Sequence, residues 1–139
     1  MTHNVLVAQT LRDFARLRLH EGFLEALQSE LDLEAPSLKE ALAPAREAIT
    51  SFKEAAPEIL THADPGVAAL MLRPHAEALA DVFFAAAYAR DIASESDLSR
   101  REDETEALAW FCQRHLSRTA PNKDANYATQ AARIASIAN

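Results

Sequence analysis

The sequence is poor in glycine and cysteine and has no long apolar run, and each shortage excludes a class of structure. Two glycines among 139 residues leave few positions for the tight turns of β-hairpins. The single cysteine, Cys112, cannot form an internal disulfide. No apolar run approaches the roughly 20 residues of a transmembrane helix. Because alanine, a strong helix former, is abundant, the composition predicts an all-α fold.

Basic residues are also scarce, since the sequence has 14 Lys and Arg but 21 Asp and Glu, which gives a formal net charge of −7. Phosphate binding needs clustered Lys and Arg, so we expect no nucleic-acid partner. The net negative charge also repels an anionic membrane surface, so we expect no association with one. The first residues lack the basic-then-apolar pattern of a signal peptide. We therefore expect a cytoplasmic location.

Apolar residues recur at helical spacing and predict a bundle of four to five helices, mostly antiparallel, in a single domain over residues 1–139. The first helix should run to about Leu31. Gly22 disfavours helix and predicts a bend or break near Arg18–Glu21. The apolar stripe of this helix comprises Val7, Leu11, Phe14, Leu17, Leu24, Leu27 and Leu31.

The second helix should start at Ser37, which has capping-box spacing to Glu40. Pro44 and Pro57 lie inside it, and each removes a backbone hydrogen bond. We expect one of them to mark a kink or an end. The buried side comprises Leu42, Ile49, Phe52 and Ile59.

The third helix should open at Asp64-Pro65, an N-cap followed by proline at the first helical position. Pro74 should kink or divide it. The helix is apolar on more than one side, as expected for the central helix of a bundle; its surplus apolar surface is covered by the core, by a second copy in a homodimer, or by a neighbouring domain. Its main apolar face comprises Val67, Leu70, Met71, Ala78, Val82 and Ala86, and the apolar surface is widened by Phe83, Phe84 and Tyr88.

A charged run, Ser94–Glu106, should lead into the fourth helix, with Ser99 and Glu102 at capping-box spacing. Arg100 and Arg101 in this run are either a docking patch or part of a solvated helix start. A short fifth helix should follow Pro121-Asn122. The fourth helix should bury Leu108, Phe111, Cys112 and His115, and the fifth should carry Tyr127, Ile134 and Ala138.

Histidine and cysteine are the residue types considered for metal binding and nucleophilic catalysis. The residues three before His75 and His115 are Leu72 and Cys112, so the Glu-x-x-His pair of di-iron bundles is missing. We expect no metal site and assign the histidines to the surface or a polar rim. Cys112 and His115 are spaced for thiol activation, but no third group orients the imidazole, and a buried cysteine is the commoner arrangement. The histidines are His3, His20, His62, His75 and His115.

The opening Thr2-His3-Asn4-Val5-Leu6, followed by Leu11-Arg12-Asp13-Phe14, resembles the segment after the active-site loop of acyl-CoA dehydrogenases. In that family a Glu-Gly pair precedes the threonine and the segment runs into a helix of the C-terminal domain. The resemblance is specific over Thr2–Phe14. The order of the later helices is similar to the helical tail of the very-long-chain type, with Ala78–Ser94 similar to its central helix.

The resemblance implies that Thr2 and Asn4 hydrogen-bond FAD, and only together with the domains that bind most of the flavin. The catalytic carboxylate would lie two positions before Thr2, so we expect no catalytic residue and no cofactor in this chain. Its implied role is a non-catalytic C-terminal domain that supports subunit association and packs on the flavin-binding half. The residues leave two alternatives open, a stand-alone dimerisation or adaptor protein and a small bundle enzyme or metal protein.

Overall fold

The computed structural model describes residues 9, 12–14, 16, 18–117, 133, 134 and 137. Every regular element within these residues is α-helical, which confirms the all-α bundle. Thr2, Asn4 and most of the predicted fifth helix lie outside the described residues, while Ile134 is helical and half-buried. The helices are α1 (Leu19–Leu31), α2 (Pro36–Ala41), α3 (Ala43–Leu60), α4 (Pro65–Ala93) and α5 (Leu98–Leu116).

Helix α4 is the central helix, because it packs against α1, α3 and α5. It runs antiparallel to α5, since Phe84 packs on Phe111 while Tyr88, one turn further along α4, lies near Glu104, earlier in α5. A short connection over residues 61–64 returns the chain from α3 into α4. At 29 residues, α4 is about 43 Å long and is the longest helix in the described part of the chain.

Helix α1 packs antiparallel to α3 and ends where the sequence predicts. Lys53 donates to the Gln28 side chain at 2.7 Å, and the Arg46 guanidinium donates to the Leu31 carbonyl at 2.8 Å. Arg46 also donates to the Lys39 carbonyl at 2.7 Å. This side chain therefore satisfies carbonyls at the C-terminal ends of both α1 and α2, which have no intrahelical partner.

The predicted break in the first helix occurs at Arg18, which adopts a left-handed conformation with φ 52°. A left-handed residue cannot continue an α-helix, so α1 begins at Leu19. Gly22, the residue that suggested the break, lies inside α1 and is exposed. Leu24, Leu27 and Leu31 are buried, as the apolar stripe predicts.

The predicted second helix is two helices, separated at Leu42. Pro44 occupies the first turn of α3, where its missing N–H has no intrahelical partner, so the chain restarts a helix there. Pro57 is tolerated inside α3, near its end. The expected Ser37 capping box is wrong: α2 starts at Pro36 behind Ala35, which makes no side-chain cap. The predicted buried residues Leu42, Ile49, Phe52 and Ile59 are all buried.

The two long helices α4 and α5 are each capped by an aspartate. Asp64 Oδ1 accepts from the backbone N–H of Gly66 at 2.9 Å, which confirms the predicted cap. Asp97 Oδ1 accepts from the N–H of Ser99 at 3.0 Å and from that of Arg100 at 3.2 Å. The predicted capping box at Ser99 is therefore wrong. The N-cap is Asp97, two residues earlier, and its carboxylate is the acceptor.

The predicted inner face of α4 is partly wrong. Val67 is 40% exposed and Leu70 is 66% exposed, so neither belongs to the core. Pro74 lies within a helix that continues on both sides of it. None of the helices in the described ranges is long and apolar enough to cross a membrane. The residues of α4 that are buried are Ala68, Leu72, Leu79, Val82, Ala85, Ala86, Ala89 and Ile92.

Replacing Gly22 by alanine should stabilise the chain. The glycine is helical and a Cβ added there meets no atom within 4 Å, so Gly22→Ala should raise the free energy of unfolding by about 0.5–1 kcal/mol. Gly66→Ala is the matched control, because its Cβ would meet the capping Asp64 Oδ1 at 3.3 Å and should give a smaller gain. Urea denaturation measures both, and an unchanged midpoint for Gly22→Ala would contradict the assignment.

The caps give a second test by denaturation. Asp64→Ala and Asp97→Ala should each lower the free energy of unfolding by about 1 kcal/mol, because each leaves backbone N–H groups without an acceptor. Ser37→Ala should change it by less than about 0.5 kcal/mol, since Ser37 caps no helix. Equal losses for all three variants would contradict the observed helix starts.

Candidate interaction surface

The feature that stands out on the described surface is a strip of α4 that no helix covers. Phe83 is 61% exposed and Phe84 is 55% exposed, although both belong to the central helix. Ala80 and Ala87, one turn to either side, are exposed as well. Large exposed apolar residues that are adjacent mark binding surfaces more often than scattered ones do. We refer to the exposed residues of α4 between Arg73 and Asp91 as the α4 strip.

On one side the α4 strip borders α1. Phe23 is 38% exposed and lines, together with Phe83 and Ala87, a shallow groove of about 240 Å³ between the two helices. An ion pair between Glu30 and Arg90 crosses this groove. The apolar surface therefore extends from α4 onto α1 and ends at a charged pair.

On the other side the strip borders α5. The ring of Phe84 lies 4.9 Å from that of Phe111 and 6.3 Å from that of Tyr88, measured between centroids. Burial, and secondarily the negative charge of Glu104, raises the pKa of Tyr88, so its hydroxyl is neutral at physiological pH. Aromatic pairs at these separations contribute about 0.5–1.5 kcal/mol each beyond their buried area. Phe84 is thus held in place by α5 while more than half of it faces solvent.

Charged residues lie at both ends of the strip. Arg73 and Glu77 form an ion pair of 3.3 Å along the helix, with side chains 46% and 58% exposed. Asp91 is exposed at the other end. The strip therefore has an apolar centre and polar ends, the arrangement that protein interfaces show.

Cys112 and His115 do not form a nucleophile and base. Cys112 is fully buried, and burial, with a smaller contribution from Asp81, raises the pKa of its thiol to about 12. His115 is exposed and packs on Phe111 at 4.6 Å, so its predicted place on the inner face is wrong. A thiol with this pKa is protonated at neutral pH and is a poor nucleophile.

Three other histidines lie within the described residues, and each contacts neighbouring groups of the fold. His20 and His75 pack on Phe52, with centroids 6.5 and 5.6 Å from its ring. His20 is half-buried, which agrees with the expected polar rim, although its Nδ1 atom is buried without a hydrogen-bond partner. His62 Nδ1 accepts from the N–H of Asp64 at 3.0 Å and orders the loop before α4. No group of three or more potential metal-binding side chains occurs among the described residues.

Arg100 behaves as part of a solvated helix start. It forms ion pairs with Glu104 at 3.3 Å and Glu95 at 3.7 Å. Exposed pairs of this kind contribute about 0–1 kcal/mol. Arg100 is therefore accounted for by its own neighbours, while Asp103 and Glu106 of the same run pair with Arg133.

Comparison with known proteins identifies no relative: no family model matches the sequence, and no curated protein or solved structure matches it. The resemblance to acyl-CoA dehydrogenases rests on Thr2–Phe14, of which only Arg12, Asp13, Phe14 and Gln9 are described. Thr2 and Asn4, the two residues assigned to FAD, are not among them. Sequence reasoning found the aromatic residues of α4 but missed Phe23, which lies one residue before Leu24 and outside the apolar stripe of the first helix.

Alkylation tests the environment of Cys112. Because the pKa rises from 9.0 to about 12, the thiolate fraction at pH 8 falls about a thousandfold, and iodoacetamide should react far more slowly with the native chain than in urea. The raised pKa also makes folding stability fall as pH rises above 9, since the unfolded thiol ionises first. Leu98→Cys, at a site 72% exposed, is the reactive control. Equal native and unfolded rates at Cys112 would contradict its burial.

Proposed function

We propose that this chain is a non-catalytic helical association domain that binds another protein surface through the α4 strip. The observation that carries the proposal is the pair Phe83 and Phe84, both more than half exposed on the helix that forms the centre of the bundle. Aromatic residues are enriched at the energetic centres of interfaces. Their adjacent exposure favours a binding surface over an unused one.

The neighbours of the two phenylalanines support this proposal. Leu98 is more exposed, at 72%, but single exposed apolar residues are ordinary on protein surfaces. The α4 strip instead continues to Phe23 on α1 and Phe111 on α5, so several aromatic rings form one surface. A surface of this kind is desolvated as a unit when a partner binds, which is the basis of its affinity.

The finer proposal follows the resemblance stated for Thr2–Phe14. In it, the chain is the C-terminal helical domain of an acyl-CoA dehydrogenase-like protein that supports subunit association and packs on the flavin-binding half. Thr2 and Asn4 would then contact FAD once that half is present. The alternative is a stand-alone dimerisation or adaptor protein, which needs the same surface and no flavin.

The test is a double substitution on the strip. Phe83→Ser with Phe84→Ser should lower the free energy of unfolding by about 1–3 kcal/mol and leave the chain folded, because Phe84 loses its contacts with Phe111 and Tyr88 while Phe83 is largely exposed. The same variant should weaken association at least about tenfold, since buried aromatic anchors dominate interfaces. Binding is measured by sedimentation with the chain alone and with a flavin-binding half of an acyl-CoA dehydrogenase that lacks its own helical tail.

Leu98→Ser is the matched control, an exposed apolar residue on α5, and should leave association unchanged. Binding to the flavin-binding half would favour the dehydrogenase proposal, and self-association alone would favour the dimerisation protein. The association proposal is wrong if neither partner binds at high micromolar concentration, or if the double variant binds as tightly as the native chain.

A further inference from the structure

The residues along the α4 strip follow the spacing of a coiled-coil seam. They alternate at steps of four and three residues, and each is exposed. The centre of this seam is occupied by small and aromatic residues, and its ends are charged. The seam positions are Arg73, Glu77, Ala80, Phe84, Ala87 and Asp91.

We propose that the α4 strip binds the α4 strip of a second copy of this chain in antiparallel orientation. The two-fold axis of this dimer crosses the helices at the level of Val82, whose own side chain is buried on the opposite face. The inference rests on the proposed association function and names its partner. In antiparallel seams, positions equidistant from the centre face each other. Arg73 then faces the second copy's Asp91, and Ala80 faces its Phe84.

Residue size favours this register. Ala80 is exposed and small, and it leaves room for the ring of the second copy's Phe84, which projects from α4 with 55% of its surface exposed. Two-fold symmetry repeats the contact, so each Phe84 is covered by an alanine. Interdigitation of large and small residues is how helices pack without voids.

Charge favours the same register. Arg73 already pairs with Glu77 of its own helix at 3.3 Å and remains 46% exposed. The antiparallel arrangement adds the second copy's Asp91 on its other side, so the arginine lies between two carboxylates. The contact occurs twice in the dimer, and opposite charges at the ends of a seam set its orientation.

A parallel pairing of the same strips is disfavoured by the same residues. It would place Arg73 on Arg73, Glu77 on Glu77 and Asp91 on Asp91, with like charges in contact at three levels. It would also place the two Phe84 rings at one level and the small alanines at another. The strip is therefore self-complementary in only one of the two directions.

Disulfide trapping reads the register directly. Glu77 faces the second copy's Ala87 in this dimer, whereas the two Ala87 residues are separated by about 15 Å along the seam. A disulfide needs Cα atoms within about 7 Å. Under mild oxidation, Glu77→Cys alone and Ala87→Cys alone should stay uncrosslinked, and an equimolar mixture of the two should give a covalent dimer. The native chain, with Cys112 buried, is the background control.

Charge exchange gives an independent readout. Arg73→Glu or Asp91→Lys should each weaken the dimer about tenfold in sedimentation equilibrium, because two contacts per dimer become repulsive. The two changes together should restore most of the affinity. Glu58→Lys, on the exposed surface of α3, alters the net charge as much as Asp91→Lys and should have little effect.

The outcomes separate this proposal from the function on which it rests. Crosslinking of each single cysteine variant would show a parallel dimer and overturn the antiparallel register while leaving the association function intact. A chain that stays monomeric but binds the flavin-binding half through Phe83 and Phe84 would overturn self-pairing alone. A chain that binds neither would overturn both proposals.

Discussion

The packing of α1, α3 and α5 depends on the apolar surface of the central helix α4. Its buried residues occupy just under half of the helix circumference, and α1, α3 and α5 pack against α4 and remove these residues from water. Burial of this kind is the main source of folding free energy. Once three helices are in place, the remaining strip of α4 is bordered by α1 and α5, and no further helix of the described part of the chain covers it. The position of the candidate surface is thus a consequence of how the core is closed.

Between residues 83 and 89, α4 departs from the usual rule that large apolar groups are inside, although Leu72, Leu79, Val82 and Ile92 elsewhere on the helix follow it. The buried side carries Ala85, Ala86 and Ala89, while the exposed side carries Phe83 and Phe84. Alanine on the inner side lets the neighbouring helices approach closely. Phe83 and Phe84 are not part of the buried core, although Phe84 contacts Phe111, and the proposed association would account for their exposure.

Helix type and core were predictable from the sequence, and several ends of helices were not. Two local signals predicted helices correctly, because periodicity and capping depend only on nearby residues. The apolar stripe through Leu24, Leu27 and Leu31 predicted α1 and its buried side, and the proline after Asp64 predicted the start of α4. The end at Leu42 was predicted only as a kink or an end at either Pro44 or Pro57, since a proline is compatible both with a kink and with a first turn. The exposure of Leu70 and Phe83 was beyond sequence reasoning, because it depends on which helices pack around α4.

The two partners considered for the α4 strip compete for the same atoms. If Phe84 is covered by Ala80 of a second copy, it cannot also be covered by a flavin-binding domain, so a dehydrogenase-like assembly needs another surface for that contact. Because Phe84 lies on one face of a single helix, the two contacts exclude each other there. Whichever partner buries Phe84 with the greater affinity therefore determines what the α4 strip binds.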